Sequence, residues 1–252
     1  MEIIFVFLFG LMIGSFLNAV MYRLHSGESI VFERSHCPRC GHVLAWYELV
    51  PLASFFIQRG RCRACGMPIA WQYPLVELAT GISFVFLWQH VPSAYHGVEI
   101  AYLFFVAATL VVIFVFDLKW YIIPNRILYP LVLVVLSHVW WGLSIAQPPW
   151  PLWSAFGVTS FFLLQYLVSR GTWIGFGDVK FGVFMGLFLG FPLVVVALFF
   201  SYLLGALVGG ALLLRGAVSM KAQVPFGPFL VAGTAIAYAY GRDIIWWYLN
   251  IM

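Results

Sequence analysis

Residues 104–126 read FFVAATLVVIFVFDLKWYIIPNR. From Phe104 to Phe116 the run holds no charge, and it ends on Asp117. A helix that is apolar on all sides has no stripe for water, so its solvent is another helix or lipid. A carboxylate at the edge of such a segment is costly and is kept for a partner or a task. Working outward, a second acid has the same setting. Gly175-Phe176-Gly177-Asp178 leads into another apolar run.

Composition settles which solvent applies. Of the 252 residues, 63% are hydrophobic and 9% are charged, where a soluble domain carries roughly a quarter. The chain is therefore expected to be an all-α polytopic membrane protein with the bilayer as its partner. The net charge of +4 comes without a basic stripe, which excludes a nucleic-acid partner. No Lys or Arg precedes Arg23, so the positive start of a cleavable signal peptide is absent. The first apolar stretch reads as a retained helix.

Hydropathy predicts eight spans, at 3–22, 73–91, 98–117, 126–145, 150–168, 178–190, 191–214 and 225–248. The sixth has about 13 residues, below the usual ~17–25, and either borrows from the glycines before it or is re-entrant. Of the 13 basic residues, 12 fall in alternate connections, with Arg242 the exception. Those connections are expected to be cytoplasmic and both termini periplasmic. Asp117 and Asp178 then share the cytoplasmic membrane face. Gly205-x-x-x-Gly209 reads as a helix-packing pair.

One sizeable polar segment separates the first two spans, and it holds all four cysteines, as Cys37-Pro38-Arg39-Cys40 and Cys62-Arg63-Ala64-Cys65. Gly41 and Gly66 follow the second cysteine of each pair. Two such knuckles converge on one tetrahedral ion and fit a small zinc-ribbon-like domain with a structural zinc. Two disulfides or four free thiols are the alternatives, and a cytoplasmic location disfavours disulfides. His36 and His42 read as solvent-facing or locally hydrogen-bonded. The expected organisation is a first helix (1–24), the tetracysteine domain (25–72) and a transmembrane domain that carries both acids (73–252).

Two acids on separate segments can hold one proton between them. The ionised one takes a proton from water while the protonated one polarises a scissile carbonyl. The glycines before Asp178 suit this by permitting unusual backbone angles and close approach of a substrate strand. Singly, the acids have plainer readings: Asp117 as a helix-end residue offset by Lys119, and Asp178 as a helix N-cap or first-turn acid. Lys180, two residues on, points elsewhere on a helix. Glu77 reads as an interfacial anchor or a helix–helix hydrogen bond. Val224-Pro225-Phe226-Gly227-Pro228-Phe229 delays the last helix, and irregular backbone at membrane depth is buried or lines a wet cavity. It reads either as a border of the active site or as an ordinary helix start.

Taken in order, these blocks resemble the bacterial type IV prepilin peptidases, which are bifunctional leader peptidases and N-methyltransferases. The blocks are Gly14-Ser15-Phe16-Leu17-Asn18, Tyr22-Arg23-Leu24, the cysteine pairs with Trp46-Tyr47, Pro51 and Arg59-Gly60-Arg61, and Pro68-Ile69. Tyr73-Pro74-Leu75-Val76-Glu77, Asp117 with Ile123-Pro124, Gly175-Phe176-Gly177-Asp178-Val179-Lys180 and Pro225-Phe226-Gly227-Pro228-Phe229 complete them. Gln72 and Glu48 depart from the family's commoner residues.

The resemblance implies an inner-membrane enzyme that cuts the leader from prepilins or type II secretion pseudopilins with Asp117 and Asp178. It also implies methylation of the new N-terminus with S-adenosylmethionine. Gly175, Gly177, Pro225, Gly227 and Pro228 would form the active-site loops, and Cys37, Cys40, Cys62 and Cys65 the metal site. The chain lacks a glycine-rich nucleotide fingerprint, so the methyl donor's site is unconventional. Rival readings are a presenilin-type protease, a proton-coupled transporter using both acids as a relay, and a zinc-stabilised scaffold.

Overall fold

A computed structural model describes residues 1–30, 32–91, 97–144, 148–216 and 224–251. Lys221, counted above for sidedness, lies outside them. Nine α-helices follow in order among the described residues: α1 Glu2–Ser26, α2 Ala53–Ile57, α3 Gln72–His90, α4 Val98–Trp120, α5 Asn125–Ser144, α6 Trp150–Ser169, α7 Phe176–Leu189, α8 Leu193–Leu214 and α9 Gly227–Ile251. All eight predicted segments are helical. The all-α polytopic class stands.

The number of spans needs correcting. Among the described residues five helices (α1, α4, α5, α6 and α8) are long and apolar enough to cross a membrane by length and composition, not eight. α7 has 14 residues, so at 1.5 Å per residue it covers only ~21 Å of a hydrocarbon core about 30 Å thick. α3 and α9 have the length but carry Glu77 and Gln89, or Arg242 and Asp243, within it.

The chain divides into two compact units, Met1–Val112 and Ile113–Met252. In the first, α1 lies along α3 with backbones nearly touching. A methyl group on Gly10 would stand 2.7 Å from Gly81 Cα, and one on Gly14 would stand 2.6 Å from Glu77 Cα. Small residues permit this approach where lipid offers no hydrophobic drive for helix pairing. Phe84 of α3 stacks on Phe104 of α4, with ring centroids 4.1 Å apart. Glu77 is buried, and its Oε2 accepts the Leu52 N–H at 2.8 Å. It therefore anchors the loop before α2, a helix-to-loop bond and not the helix–helix hydrogen bond expected as one of its two readings.

In the second unit α6 packs on α7, α8 on α9, and α5 against α7. Gly186 lies against the Ala155 backbone and Gly233 against Ser201, leaving no room for a Cβ at either. Gly205 faces the Phe226 and Phe229 rings, while nothing stands near Gly209, so only the first of that pair serves packing. α7 is the most enclosed helix, with Phe181, Phe184 and Met185 fully buried. Its neighbours, more than its length, hold it in an apolar setting.

Candidate active site and metal centre

The first unit carries the four cysteines on two knuckles of the same construction. In one, the Cys37 N–H donates to His42 O at 2.9 Å and the Gly41 N–H to Cys37 O at 2.9 Å. In the other, the Cys62 N–H donates to Met67 O and the Gly66 N–H to Cys62 O, both at 2.8 Å. Each turn needs one residue at positive φ, supplied by Gly41 (72°) and Gly66 (70°). The expected ribbon hairpin is reduced to two isolated antiparallel bridges, His36 with Val43 and Arg61 with Pro68.

The four Sγ atoms all lie within 4.8 Å of one another, with Cys37 and Cys65 4.0 Å apart. The edge of a tetrahedron with 2.3 Å metal–sulfur bonds is about 3.8 Å, so the cluster has the size a bound ion needs. All four thiols are free. Burial pushes the Cys37 thiol up, but the main-chain N–H groups of Cys40 and Arg39 outweigh it and hold it at about 7. At Cys65 the Met67 N–H favours the thiolate, but desolvation and the other three sulfurs prevail and raise it to about 11. Four clustered thiols thus resist full ionisation by themselves, and a divalent cation relieves that resistance.

Neither flanking histidine joins the sulfurs. His36 Nδ1 stands 3.2 Å from Arg34 O, and His42 Nε2 stands 3.2 Å from Glu48 Oε2. That same oxygen accepts the Ala45 N–H at 2.9 Å. Glu48, noted above only as a departure, is therefore a buried brace of the first knuckle.

The second unit brings the two aspartates together. Asp117 lies in the last turn of α4, which is closed by the Tyr121 N–H bonding to Asp117 O at 2.8 Å, with Tyr121 at φ 58°. Asp178 is the third residue of α7. Both are buried, with 6% and 7% of their surface exposed. They are near enough for the charge of Asp117 to act on Asp178.

Each carboxylate has one oxygen fixed by a main-chain donor at a helix start. Asp178 Oδ2 accepts the Gly175 N–H at 2.9 Å, the first-turn role expected of a lone acid. Asp117 Oδ2 accepts the N–H of Gly227, the first residue of α9, at 2.9 Å across 110 residues of sequence. Main-chain donors and the positive ends of two helices thus face the two acids.

The glycines act differently from their sequence-level rationale. Gly175 has ordinary extended backbone, φ −79° and ψ 156°, so no unusual angle is required there. Gly177 is tight instead: a methyl group on it would meet Ile123 Cβ at 3.3 Å. Gly227 is tighter, since a methyl group would stand 2.6 Å from Asp117 Oδ2. Pro225 lies just before α9, and Pro228 is buried in its first turn, where proline's missing N–H costs nothing. Lys180 points away from Asp178, and its ammonium donates to Asn125 Oδ1. Tyr202 of α8 borders the site, within reach of the charge of Asp178, and its hydroxyl donates to Gln165 Oε1 of α6; sequence reading missed both because each sits inside an unremarkable apolar helix.

Comparison with known proteins also splits the chain in two, at a somewhat earlier point. Residues 8–91 match the family model described as the bacterial peptidase A24 N-terminal domain. Residues 104–210 match the type IV leader peptidase family. The chain is 33% identical over 256 residues to the prepilin leader peptidase/N-methyltransferase of Bacillus subtilis, covering 97% of each. It is 37% identical over 221 residues to the protein of the same description in Myxococcus xanthus, covering 84% of this chain and 63% of that one. The Aeromonas salmonicida protein so described is 31% identical, with 97% and 93% covered. No solved structure matches the chain.

Proposed function

The chain belongs to the type IV leader peptidase family, and from that premise we propose that Asp117 and Asp178 are its proteolytic dyad. It is an enzyme that cleaves the leader from prepilins or type II secretion pseudopilins and N-methylates the new N-terminus. The observation that carries the dyad is the convergence of two buried carboxylates from α4 and α7, each with one oxygen fixed by a helix-start N–H. Two such acids hold one proton between them. The ionised member takes a proton from water. As the protonated member donates to the carbonyl oxygen, the hydroxide left from that water adds to the carbonyl carbon; the acid that took the water's proton then gives it to the amide nitrogen as the C–N bond breaks and the amine leaves. Fixing Oδ2 of each acid leaves the other oxygen turned to these tasks. Gly175, Gly177, Pro225, Gly227 and Pro228 shape the two helix starts.

Residues 73–252 carry the peptidase function and 25–72 the methyltransferase region, with S-adenosylmethionine as methyl donor. No residue is assigned to the donor. Cys37, Cys40, Cys62 and Cys65 hold one structural zinc, which completes a segment that lacks a core of its own. Four thiolates would leave that ion no open position, so it organises the fold and does not activate water. The arginine-rich connections face the cytoplasm and both termini the opposite side. The five long apolar helices cross the bilayer, and both acids lie at its cytoplasmic edge, where a basic leader meets a membrane-buried helix.

The test is cleavage of a prepilin by purified protein, read by the size shift and the mature N-terminal mass. Asp117→Asn and Asp178→Asn should each lower the rate by on the order of 10²–10⁴, the usual worth of positioned acid–base groups. Either variant working at more than roughly a tenth of the wild-type rate would remove the dyad, because a positioned acid or base is worth far more.

A further inference from the structure

Gln165 of α6 and Tyr202 of α8 form a polar pair on two otherwise apolar helices. The Tyr202 hydroxyl donates to Gln165 Oε1 at 2.9 Å. α6 packs along α7 and α8 along α9, whereas α6 and α8 meet through these side chains. The Phe161 and Tyr202 rings, 6.2 Å apart, add to that meeting. The tyrosine of the pair borders the acid site. The Tyr202 ring lies 5.2 Å from Phe226, the residue before the Gly227 N–H that holds Asp117. The charge of Asp178 also reaches the Tyr202 hydroxyl. Tyr202 keeps 37% of its surface exposed, so a ligand can reach it. The bond joins no tightly packed helices, and polar groups on membrane helices are costly without a use.

We propose that Gln165 and Tyr202 bind the main chain of an extended peptide next to the scissile bond, exchanging their mutual hydrogen bond for bonds to the substrate. This rests on the dyad reading above. A glutamine amide offers one acceptor and two donors, which matches the single N–H and C=O of a peptide unit, and the tyrosine hydroxyl adds one of each. A chain stretched across the acids gives up its helical hydrogen bonds. In an apolar setting a backbone group left unpaired is costly, so the cleft must supply replacements. The mutual Gln165–Tyr202 bond keeps both side chains satisfied until the peptide arrives. Neither residue makes or breaks a covalent bond.

The experiment uses the full chain in nanodiscs with a purified prepilin. Gln165→Leu should raise KM about tenfold, the loss of roughly one well-formed hydrogen bond, with kcat within about threefold of wild type. Tyr202→Phe should raise KM by about threefold. A KM unchanged in both variants, with thermal midpoints like wild type, overturns the proposal. So does a fall in kcat alone. A Gln165→Cys/Tyr202→Cys protein joined by a short cleavable thiol crosslinker should not cut prepilin, and reduction should restore cutting; the proteins with only one of these two substitutions, treated alike, should cut at raised KM whether reduced or not. Cutting by the crosslinked form overturns the proposal even if the leucine variant fails to fold. Should wild type itself not cut prepilin, the protease reading falls; should wild type cut and the variants keep its KM, only the subsite falls.

Discussion

Replacing Gly227 by alanine tests the site without touching either acid. The added methyl carbon would stand 2.6 Å from Asp117 Oδ2, 2.9 Å from Cγ and 3.2 Å from Cβ, where ordinary contact begins at 3.4 Å. The backbone at Gly227 is not in the positive-φ region, and alanine favours helices, so the substitution brings no conformational strain of its own. The whole cost therefore falls on the Asp117 side chain, which must withdraw by roughly 0.8 Å and stretch or break its bond to the Gly227 N–H. A hydrogen bond to a charged group is worth about 1.5–3 kcal/mol, and a displacement near 1 Å in a catalytic site costs on the order of 10²-fold in rate. The Gly227→Ala protein should cut prepilin about 30–300 times more slowly, with KM nearly unchanged because the displaced group acts in the reaction more than in binding. Initial rates of leader removal over a range of prepilin concentrations measure both constants. A folded Gly227→Ala protein with kcat within about threefold of wild type would refute the idea that Asp117 must stay where that N–H holds it.

Further outcomes follow from other parts of the molecule. Purified protein should carry about one zinc per chain, and replacing Cys37 and Cys62 by serine should remove it; metal analysis that finds none in wild type with intact thiols sinks the structural zinc. Gly186→Ala should destabilise the protein by about 2 kcal/mol or more, because the methyl group meets the Ala155 backbone, which cannot rotate away; an unchanged thermal midpoint in detergent counts against the packing described. Glu48→Gln should weaken the cysteine domain at neutral pH. The Ala45 N–H first, against burial and with help from His42 and Arg63, holds the Glu48 carboxyl below its ordinary 4.5. A depressed carboxyl stabilises above the unfolded value and loses that contribution as pH falls through the folded one. The gap in thermal midpoint between wild type and Glu48→Gln should therefore be full above about pH 5 and close on acidification below 4.5. A gap that widens in acid would contradict the assignment.

Much of the fold was open to a reader of the sequence because lipid is an exacting solvent. A segment such as Phe104–Phe116 has few alternatives to a helix, so all eight runs were found within a few residues. Their number as spans was less legible. The shortness of α7 is visible in sequence, but its enclosure by α5, α6 and α9 is a tertiary fact. The cysteine spacing announced the sulfur cluster because knuckle geometry is local. It did not announce Glu48, whose role depends on the loop bringing it back to His42 and Ala45. At the acids, the Gly175 bond to Asp178 spans three residues and was within reach of helix-capping rules. The Gly227 bond to Asp117 spans 110, and no local rule ties those positions together. Gln165 and Tyr202 gave no signal at all, since a glutamine and a tyrosine in apolar helices form no pattern.

Because both anchors of the acid pair are main-chain N–H groups, no single side-chain replacement deletes either donor except proline at Gly175 or Gly227. A site braced by side chains offers many points of failure, and drifting sequences find them. Here variation can reach the pair only by changing an acid, crowding it, or shifting the start of a helix. The surrounding helices are thus free to diverge, and a search for inactive or retuned variants should find its hits gathered at a few glycines and prolines, with long silent stretches between.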